Sequence, residues 1–452
     1  YYNLHRDNLD ERYATADMIC TESQDVLSRG WRDLPPLWHP VLSMKFGSSA
    51  PGRPAPFGII HSCPGMDWRH TGLPTAEYLF WMSGVAAGGG SIWHSITGFC
   101  DTISDKRLLK ALTEVNHKIA KIEGDMDSAS PRSDALLLWD GGKSAEGWAD
   151  ILMNNQLQFD LAAPYQVTRE RLAGYPLVIV PEGFPLENGR PKVLEEYVSK
   201  GGRLIFEGAD GEQLAPVAGL LGISESISAS ESLTACYWQF EPEGAPLRGE
   251  EFQETPLLPH RGRTAYCKPL PGTAILATLV PPFAPLNSVG APPERASMLV
   301  EHTELPLCLY RQEGKGAALT LTFMLGRLMG EFRLAEHSRL GRNLVRFMLG
   351  EKQTFDMKPV NGLEAVCYEK GRDILVHLLN GVGQRPLMDT IEYHGAKFSV
   401  RLPKGSRAEE VELKLSGEEP LWKQEGERLT VEVPRLSYWD MVKITLAKRG
   451  AE

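Results

Sequence analysis

Thr15-Ala-Asp-Met-Ile-Cys-Thr-Glu-Ser-Gln24 is a short, mostly apolar segment that becomes polar abruptly at its end. This pattern predicts a β-strand over residues 17–21, with Glu22 at its carboxyl end. In α/β barrels, the catalytic side chains stand at the carboxyl ends of the strands. Glu22 is therefore the candidate catalytic residue, and the alternative is a loop carboxylate in a salt bridge.

Two further strands are predicted over residues 57–61 and 91–94, and helices over 75–87 and 106–122. Right-handed crossovers between parallel strands place all their carboxyl ends on one side of the sheet. Polar and aromatic side chains that end or follow these strands are thus expected near Glu22. The predicted substrate-binding residues are His61, Asp67, Trp68, Trp93 and His94.

These residue types suit work on carbohydrates. Hydrolysis of a glycosidic bond uses two carboxyl groups that flank the bond. Glu22 supplies one, and Asp67 is a candidate for the second, although an Asp that follows Pro64-Gly65 is also typical of a turn. Tryptophan stacks on sugar rings and histidine hydrogen-bonds to hydroxyl groups, but a single Trp or His is more often structural.

A metal site built from His61, His70 and His94 is a competing hypothesis. The spacing of these histidines matches no short ligand motif, and no carboxylate follows them at helical spacing. We therefore expect neither a metal nor a cofactor.

Composition limits the possible partners and the compartment. The chain has 48 Lys and Arg against 58 Asp and Glu, a net charge of −10 without a long block of either sign, so no nucleic-acid partner is expected. No run of eighteen apolar residues predicts a membrane span. The seven cysteines form no Cys-x-x-Cys motif, which favours reduced thiols and a cytoplasmic location.

The chain divides into three predicted domains, so the fold class is multidomain α/β. Residues 1–125 are predicted to be the C-terminal part of a (β/α)8 barrel, since three strands cannot close one, and the first half is expected upstream of Tyr1. Residues 133–352 predict a doubly wound, flavodoxin-like α/β domain with a β-rich insertion at about 226–325. Residues 357–448 predict a small all-β sandwich.

The middle domain contains no recognisable nucleophile. Class I glutamine amidotransferase-like domains carry a Cys at the tight turn after a central strand, and residues 178–183 contain neither that Cys nor a Gly-x-Ser-x-Gly motif. We therefore expect this domain to support assembly rather than catalysis.

The segment Leu172-Ala-Gly-Tyr-Pro-Leu-Val-Ile-Val-Pro181 and residues 194–206 resemble the trimerisation domain of glycoside hydrolase family 42 β-galactosidases and a related group of glycoside hydrolases. Residues 86–93 resemble their last barrel strand, and 316–323 and 374–380 their later β segments. The resemblance implies a retaining glycosidase and a homo-oligomer such as a trimer. In that family, the two catalytic Glu residues stand on the fourth and seventh strands of the barrel.

This chain departs from that family pattern at the two strand ends that matter most. If residues 91–94 are the eighth strand, Glu22 ends the sixth and His61 the seventh, where the family has its nucleophile. Two hypotheses follow. The chain belongs to a β-galactosidase-like glycoside hydrolase with part of the active site upstream, or it is a non-catalytic carbohydrate-binding or oligomerisation module derived from one.

Overall fold

The computed structural model describes residues 1–5, 9–23, 30, 34–50, 52, 54–96, 98–99, 101–230, 233–281 and 302–448. The protein has a mixed α/β fold with several sheets. Contacts divide it into a first unit (Tyr1–Ser133, Met153–Leu161 and Gln353–Glu452) and a second unit (Asp134–Leu152 and Ala162–Lys352). The three domains predicted from the sequence remain a prediction.

The first part of the chain forms a parallel sheet with helices between its strands. In chain order its elements are α1 (Leu9–Thr15), β1 (Cys20–Glu22), α2 (His39–Ser48), β2 (Phe57–His61), α3 (Thr75–Ala87), β3 (Ser91–Ser95), α4 (Arg107–Met126) and β4 (Ser130–Pro131). The strands lie in the order β1-β2-β3, and both pairs are parallel.

Strand β1 is shorter than predicted and begins later. It starts at Cys20, which pairs with Phe57, and the chain bends at residues 17–18 instead of continuing the strand. Helix α3 has the predicted bounds, and the left-handed backbone of Gly89 follows its end. Helix α4 is amphipathic, because Leu108, Val115 and Ile122 are buried while its other face is solvated.

Residues 134 to 352 form a segment with a larger mixed sheet, a separate two-stranded sheet and the helices between the strands. Its elements are β5 (Ala135–Leu138), α5 (Lys143–Asn154), β6 (Phe159–Ala162), α6 (Arg169–Ala173), β7 (Leu177–Val180), α7 (Arg190–Ser199), β8 (Arg203–Glu207), α8 (Gly211–Leu214), β9 (Ile223–Ala229), β10 (Leu233–Phe240), β11 (Leu257–Gly262), β12 (Ala265–Pro269), β13 (Ala274–Val280), β14 (Pro306–Glu313), β15 (Gly316–Leu321), α9 (Leu325–Phe332) and α10 (Ala335–Leu349). Strands of the second unit run in the order β11-β10-β13-β14-β15-β8-β7-β5.

The two halves of this sheet differ in strand direction. Strands β5, β7, β8 and β15 are mutually parallel, and β5 and β7 are completely buried, as expected for central strands covered by helices. Strands β14, β13, β10 and β11 continue the same sheet with antiparallel pairing. Strands β10, β11, β13 and β14 of the predicted β-rich insertion therefore extend the central sheet, whereas β12 pairs with β9 in a separate sheet.

The C-terminal residues form two antiparallel sheets. Their strands are β16 (Phe355–Met357), β17 (Leu363–Lys370), β18 (Asp373–Asn380), β19 (Tyr393–Arg401), β20 (Ala408–Leu413), β21 (Leu421–Glu425), β22 (Arg428–Leu436) and β23 (Trp439–Leu446). The sheet orders are β16-β19-β22-β21 and β20-β23-β18-β17-β4. Apolar side chains of both sheets share one buried cluster, so the two sheets enclose a common core.

Residues 124–134 are small and polar, a composition typical of a linker, yet strand β4 lies within them. Helix α4 continues to Met126, and Ser130 and Pro131 pair with β17 at the edge of the five-stranded sheet. This segment is thus part of the C-terminal architecture of the first unit.

Two further properties concern membrane-spanning helices and the cysteines. In the part of the chain that the structure describes, no helix combines the length and the apolar character that a membrane crossing requires. The six cysteines in that part, Cys20, Cys63, Cys236, Cys267, Cys308 and Cys367, are free thiols. The cytoplasmic location remains a prediction.

Candidate active-site face

The register of the parallel sheet determines which side chains share a face. Glu22 lies opposite Ile59, and Ile59 lies opposite Trp93, so these three side chains form one row across the strands. Because side chains alternate along a strand, His61 projects from the same face as Ile59. The sheet thus brings Glu22, His61 and Trp93 onto one surface, which we call the active-site face.

Glu22 and His61 are in direct contact at the carboxyl ends of β1 and β2. The His61 Nε2 atom lies 3.6 Å from the Glu22 Oε1 atom. The His61 side chain is largely buried, with 13% of it exposed, whereas the Glu22 side chain is 50% exposed. Glu22 is thus in contact with a largely buried imidazole while half of its own side chain stays accessible to a ligand.

Tyr1 is a second neighbour of Glu22 that the sequence did not indicate. Burial raises the pKa of the Tyr1 phenol, and the negative charge of Glu22, to which its hydroxyl is hydrogen-bonded, raises it further. A neutral phenol is a hydrogen-bond donor for a carboxylate. No local sequence pattern identifies Tyr1, because its contact with Glu22 depends on the tertiary path of the chain before β1.

The opposite face of this sheet is covered by helices. Thr21, Gly58 and Ile60 are buried there, and a Cβ atom on Gly58 would lie 2.6 Å from a Val85 methyl group of α3. Glycine is required at this position because strand and helix approach so closely. The helices therefore cover one face and leave the active-site face as the accessible one, on which Trp93 is 52% exposed.

A cavity of about 670 Å³ adjoins the active-site face. Its lining is mainly apolar and consists of Met18, Ile19, Cys20, Phe57, Ile92, Trp93 and His94. A volume of this size is in the range of small-molecule sites.

His94 points away from Glu22 and His61. It alternates with Trp93 along β3, and its Nε2 atom lies 3.5 Å from the Asn116 Oδ1 atom of α4. Burial lowers the pKa of His94, and the contact with Asn116 partly offsets this effect. Of the predicted binding residues, His94 is thus placed on the helix side of the sheet.

Asp67 and Trp68 lie in the loop after β2. They belong to a single helical turn, Met66–Trp68, and both are exposed. The role of Asp67 as a candidate second carboxyl group stays a prediction.

Among the residues that the structure describes, no group of three or more His, Cys, Asp or Glu side chains is arranged to hold a metal ion. The expectation that no cofactor is needed stays a prediction.

The second unit has a buried carboxylate at the carboxyl end of β8. Glu207 ends β8 and accepts hydrogen bonds from Ser144 Oγ (2.5 Å), the Gly326 amide (2.7 Å), Trp148 Nε1 (3.0 Å) and the Glu182 amide (3.2 Å). Each of the four groups donates its hydrogen bond to Glu207, so together they hold the carboxylate in place. Glu207 joins the ends of β7 and β8 to α5 and α9.

Comparison with solved structures identifies similar folds. Alpha-L-fucosidase isoenzyme 2 from Paenibacillus thiaminolyticus has a TM-score of 0.76 and 14% sequence identity, with 99% of this chain and 68% of that enzyme covered. β-Galactosidase from Bacillus circulans sp. alkalophilus has a TM-score of 0.61 and 11% identity, with 97% and 61% covered. Gan42B, a GH42 β-galactosidase from G. stearothermophilus, has a TM-score of 0.63 and 12% identity, with 97% and 61% covered.

These likenesses concern the fold, which is one that glycoside hydrolases share. The chain spans between 61% and 68% of the length of these three enzymes. No family model matches the chain, and a search of curated proteins found no match.

Proposed function

We propose that the chain is part of a glycoside hydrolase that acts on O-glycosidic bonds, with Glu22 as one of its two catalytic carboxyl groups. The observation that carries the proposal is the contact between Glu22 and His61, 3.6 Å apart at the carboxyl ends of neighbouring parallel strands. Strand ends of this kind are where α/β barrels hold their catalytic groups.

The neighbours of Glu22 suit a role in proton transfer or nucleophilic attack. The Tyr1 hydroxyl is hydrogen-bonded to the carboxylate and His61 lies beside it, while the exposed half of the Glu22 side chain is accessible to a ligand. Trp93 offers an exposed ring on the same face, against which the apolar side of a sugar ring stacks. In this proposal Asp67 and Trp68 contact parts of the substrate further from the bond that is cleaved.

The second carboxyl group comes from further strands of a barrel, of which β1, β2 and β3 are the last three in this proposal. The length of the similar enzymes supports it, since the chain spans 68% of the fucosidase and 61% of the β-galactosidases. The exposed active-site face supports it as well, because additional strands would enclose Glu22, His61 and Trp93 inside the barrel.

Two substrate types follow from the similar structures, a β-galactoside and an α-fucoside. The test uses nitrophenyl glycosides of both sugars with the protein encoded by the complete reading frame. We expect turnover of one of them, and a loss of at least ~100-fold in kcat for Glu22→Gln. Unchanged turnover of the variant would remove Glu22 from the mechanism.

Chemical rescue separates the two possible roles of Glu22. In Glu22→Ala, azide enters the space left by the carboxylate and forms a glycosyl azide. For a retaining enzyme, a product with the anomeric configuration of the substrate identifies Glu22 as the acid/base, and the opposite configuration identifies it as the nucleophile.

We also propose that the second unit promotes homo-oligomer formation, because residues 172–181 and 194–206 resemble the trimerisation domain of family 42 β-galactosidases. At the ends of its parallel strands, the buried Glu207 carboxylate is occupied by hydrogen bonds within the domain, and this supports a structural role for the unit. Light scattering of the purified protein at several concentrations tests this, with a trimer as the expected species.

The alternative, a non-catalytic carbohydrate-binding module, is favoured by one observation. Within the described residues, Glu22 is the carboxylate that β1, β2 and β3 present on the active-site face. Binding of galactosides or fucosides without any turnover, unaffected by Glu22→Gln, would support this alternative.

A further inference from the structure

A second cavity in the first unit lies beside the amino-terminal ends of α3 and α4. Its volume is about 300 Å³, and α3 and α4 contribute Thr75, Leu79 and Arg107 to its lining. The remaining wall belongs to the loop that joins β18 to β19, residues 381–392, through Met388, Asp389 and Thr390. We call this loop the sandwich loop.

The sandwich loop is held in a defined position. Glu77 of α3 accepts a hydrogen bond from the Leu387 amide (2.7 Å) and another from the Arg385 guanidinium (2.9 Å). At the other end of the loop, the Asn380 side chain donates to the Ile391 carbonyl oxygen (2.7 Å). Met388 and Asp389 are thus presented from an anchored loop, and Met388 is 69% exposed.

The helix beginnings that line the cavity lie on the same side of the parallel sheet as Glu22 and His61. Helix α3 follows β2 and helix α4 follows β3, so both helices begin on the side where these strands end. The Gly72 amide donates to the Asp105 carboxylate (2.9 Å), which links the loop after β2 to the loop after β3. Trp68, exposed in the first of these loops, lies along the chain between His61 and the cavity.

The lining combines the groups that recognise a sugar ring. Thr75 and Thr390 supply hydroxyl groups, and Asp389 supplies a carboxylate. Leu79 and Met388 supply apolar surface. A site whose walls combine polar groups with apolar surface contacts both the hydroxyl groups at the edge of a sugar ring and its apolar face.

We propose that this cavity is a subsite for a sugar unit remote from the cleaved bond, so that the substrate is an oligosaccharide rather than a simple glycoside. This inference rests on the proposed function, and it assigns the sandwich loop a part in substrate recognition. Arg107, which also lines the cavity, donates hydrogen bonds to the Asp105 carboxylate from Nε (2.9 Å) and Nη2 (2.5 Å), and this contact holds its guanidinium in place.

The test compares long and short substrates in three proteins: the wild type, the double variant Met388→Ala/Asp389→Ala, and Ile391→Ala as control. Ile391 is exposed on the same loop but does not line the cavity. The probes are galactotriose and fucosyllactose on one side and the nitrophenyl glycosides of galactose and fucose on the other. We expect kcat/KM of the double variant to fall about tenfold on the oligosaccharide, equivalent to about 1.4 kcal/mol, and to change less than about twofold on the matching nitrophenyl glycoside.

Two results would overturn the subsite: equal losses on both substrates, or no loss on the oligosaccharide. If the wild type hydrolyses none of the probes, the proposed function fails, and the subsite is then tested by calorimetric titration of the same oligosaccharides. Weaker binding by the double variant than by the wild type and Ile391→Ala supports the subsite. Absent binding, or equal binding by all three proteins, overturns it.

Discussion

The Arg385 guanidinium lies 2.9 Å from the carboxylate of Glu77, a side chain with no exposed surface. Trp81 Nε1 donates to the same carboxylate (3.0 Å), and the Arg385 guanidinium also stacks over the Trp81 ring. Burial raises the pKa of Glu77, and its hydrogen bonds with Leu387 and Trp81 oppose that shift. This buried ion pair joins helix α3 to the sandwich loop across 308 residues of chain.

We expect Glu77→Gln to lower the free energy of unfolding by about 3–5 kcal/mol, because it leaves the Arg385 charge buried without its partner. Burial already lowers the pKa of Arg385 to about 10. Urea unfolding followed by tryptophan fluorescence measures the loss.

The double variant Glu77→Gln/Arg385→Met is the matched control for this ion pair. It removes both charges, so we expect it to be more stable than Glu77→Gln alone. A single variant that unfolds at the same urea concentration as the wild type would contradict the assigned role of the pair.

The second prediction concerns Glu207, whose pKa burial raises from the ordinary 4.5 to about 7 despite the hydrogen bond from Ser144 and three further donors. Between these values the folded state binds this proton and the unfolded state does not. The free energy of unfolding therefore falls as pH rises through this window, by up to about 1.4 kcal/mol per pH unit.

Glu207→Gln removes this pH dependence at a cost. The glutamine amide presents donors to groups that are donors themselves, so we expect a loss of about 1–3 kcal/mol at every pH. Thermal unfolding of both proteins between pH 5 and pH 8 measures the two slopes. Parallel curves would show that Glu207 is ionised across the whole range.

Much of the local structure around the active-site face follows from sequence patterns, whereas its contacts do not. The apolar spacing over residues 75–87 gives the bounds of α3, and the run 57–61 gives β2. The predicted start of β1 is three residues too early, because the strand begins only at Cys20, where Phe57 is available as a partner. Pairing between strands is a long-range event that local periodicity does not encode.

The same distinction applies to the candidate residues. Strand ends predicted that Glu22 and His61 would be neighbours, because parallel strands end on one side. Alternation along β3 could have separated Trp93 from His94 in advance, since adjacent residues face opposite sides. Tyr1 and Arg385 could not be found this way, because each acts through a partner chosen by tertiary packing.

The third prediction tests whether His61 positions Glu22. We expect His61→Ala to lower kcat about tenfold with a smaller change in KM, because the carboxylate loses the group that orients it. His61→Gln, which retains a nitrogen donor, should recover part of that loss. The measurement is the steady-state kinetics of both variants on the nitrophenyl glycoside that the wild type cleaves; a change confined to KM would instead make His61 a substrate contact.

The fourth prediction concerns Glu364 on β17, a carboxyl group that is buried in the first unit. Leu363 and Ala365 belong to the core between the two sandwich sheets, so Glu364 projects from the opposite face of its strand. Within the described residues its Oε2 atom has no hydrogen-bond partner. Burial raises the pKa of Glu364 from the ordinary 4.5 to about 8.

A group with this raised pKa destabilises the folded protein as pH rises. The unfolded chain releases the proton near pH 4.5 and the folded chain near pH 8, so the free energy of unfolding declines between these values. Glu364→Leu removes both the slope and the unpartnered oxygen, and we expect it to stabilise the protein by about 1–3 kcal/mol at neutral pH and by more in alkali. Glu369→Leu, at an exposed position of the same strand, is the control and should change stability by less than about 0.5 kcal/mol. Glu364 and Glu207 belong to different units, so we expect the pH slopes that their two substitutions remove to add in the double variant Glu207→Gln/Glu364→Leu. A Glu364→Leu protein that is less stable than the wild type at all pH values would contradict the prediction, because it would mean that the carboxyl group has a stabilising partner.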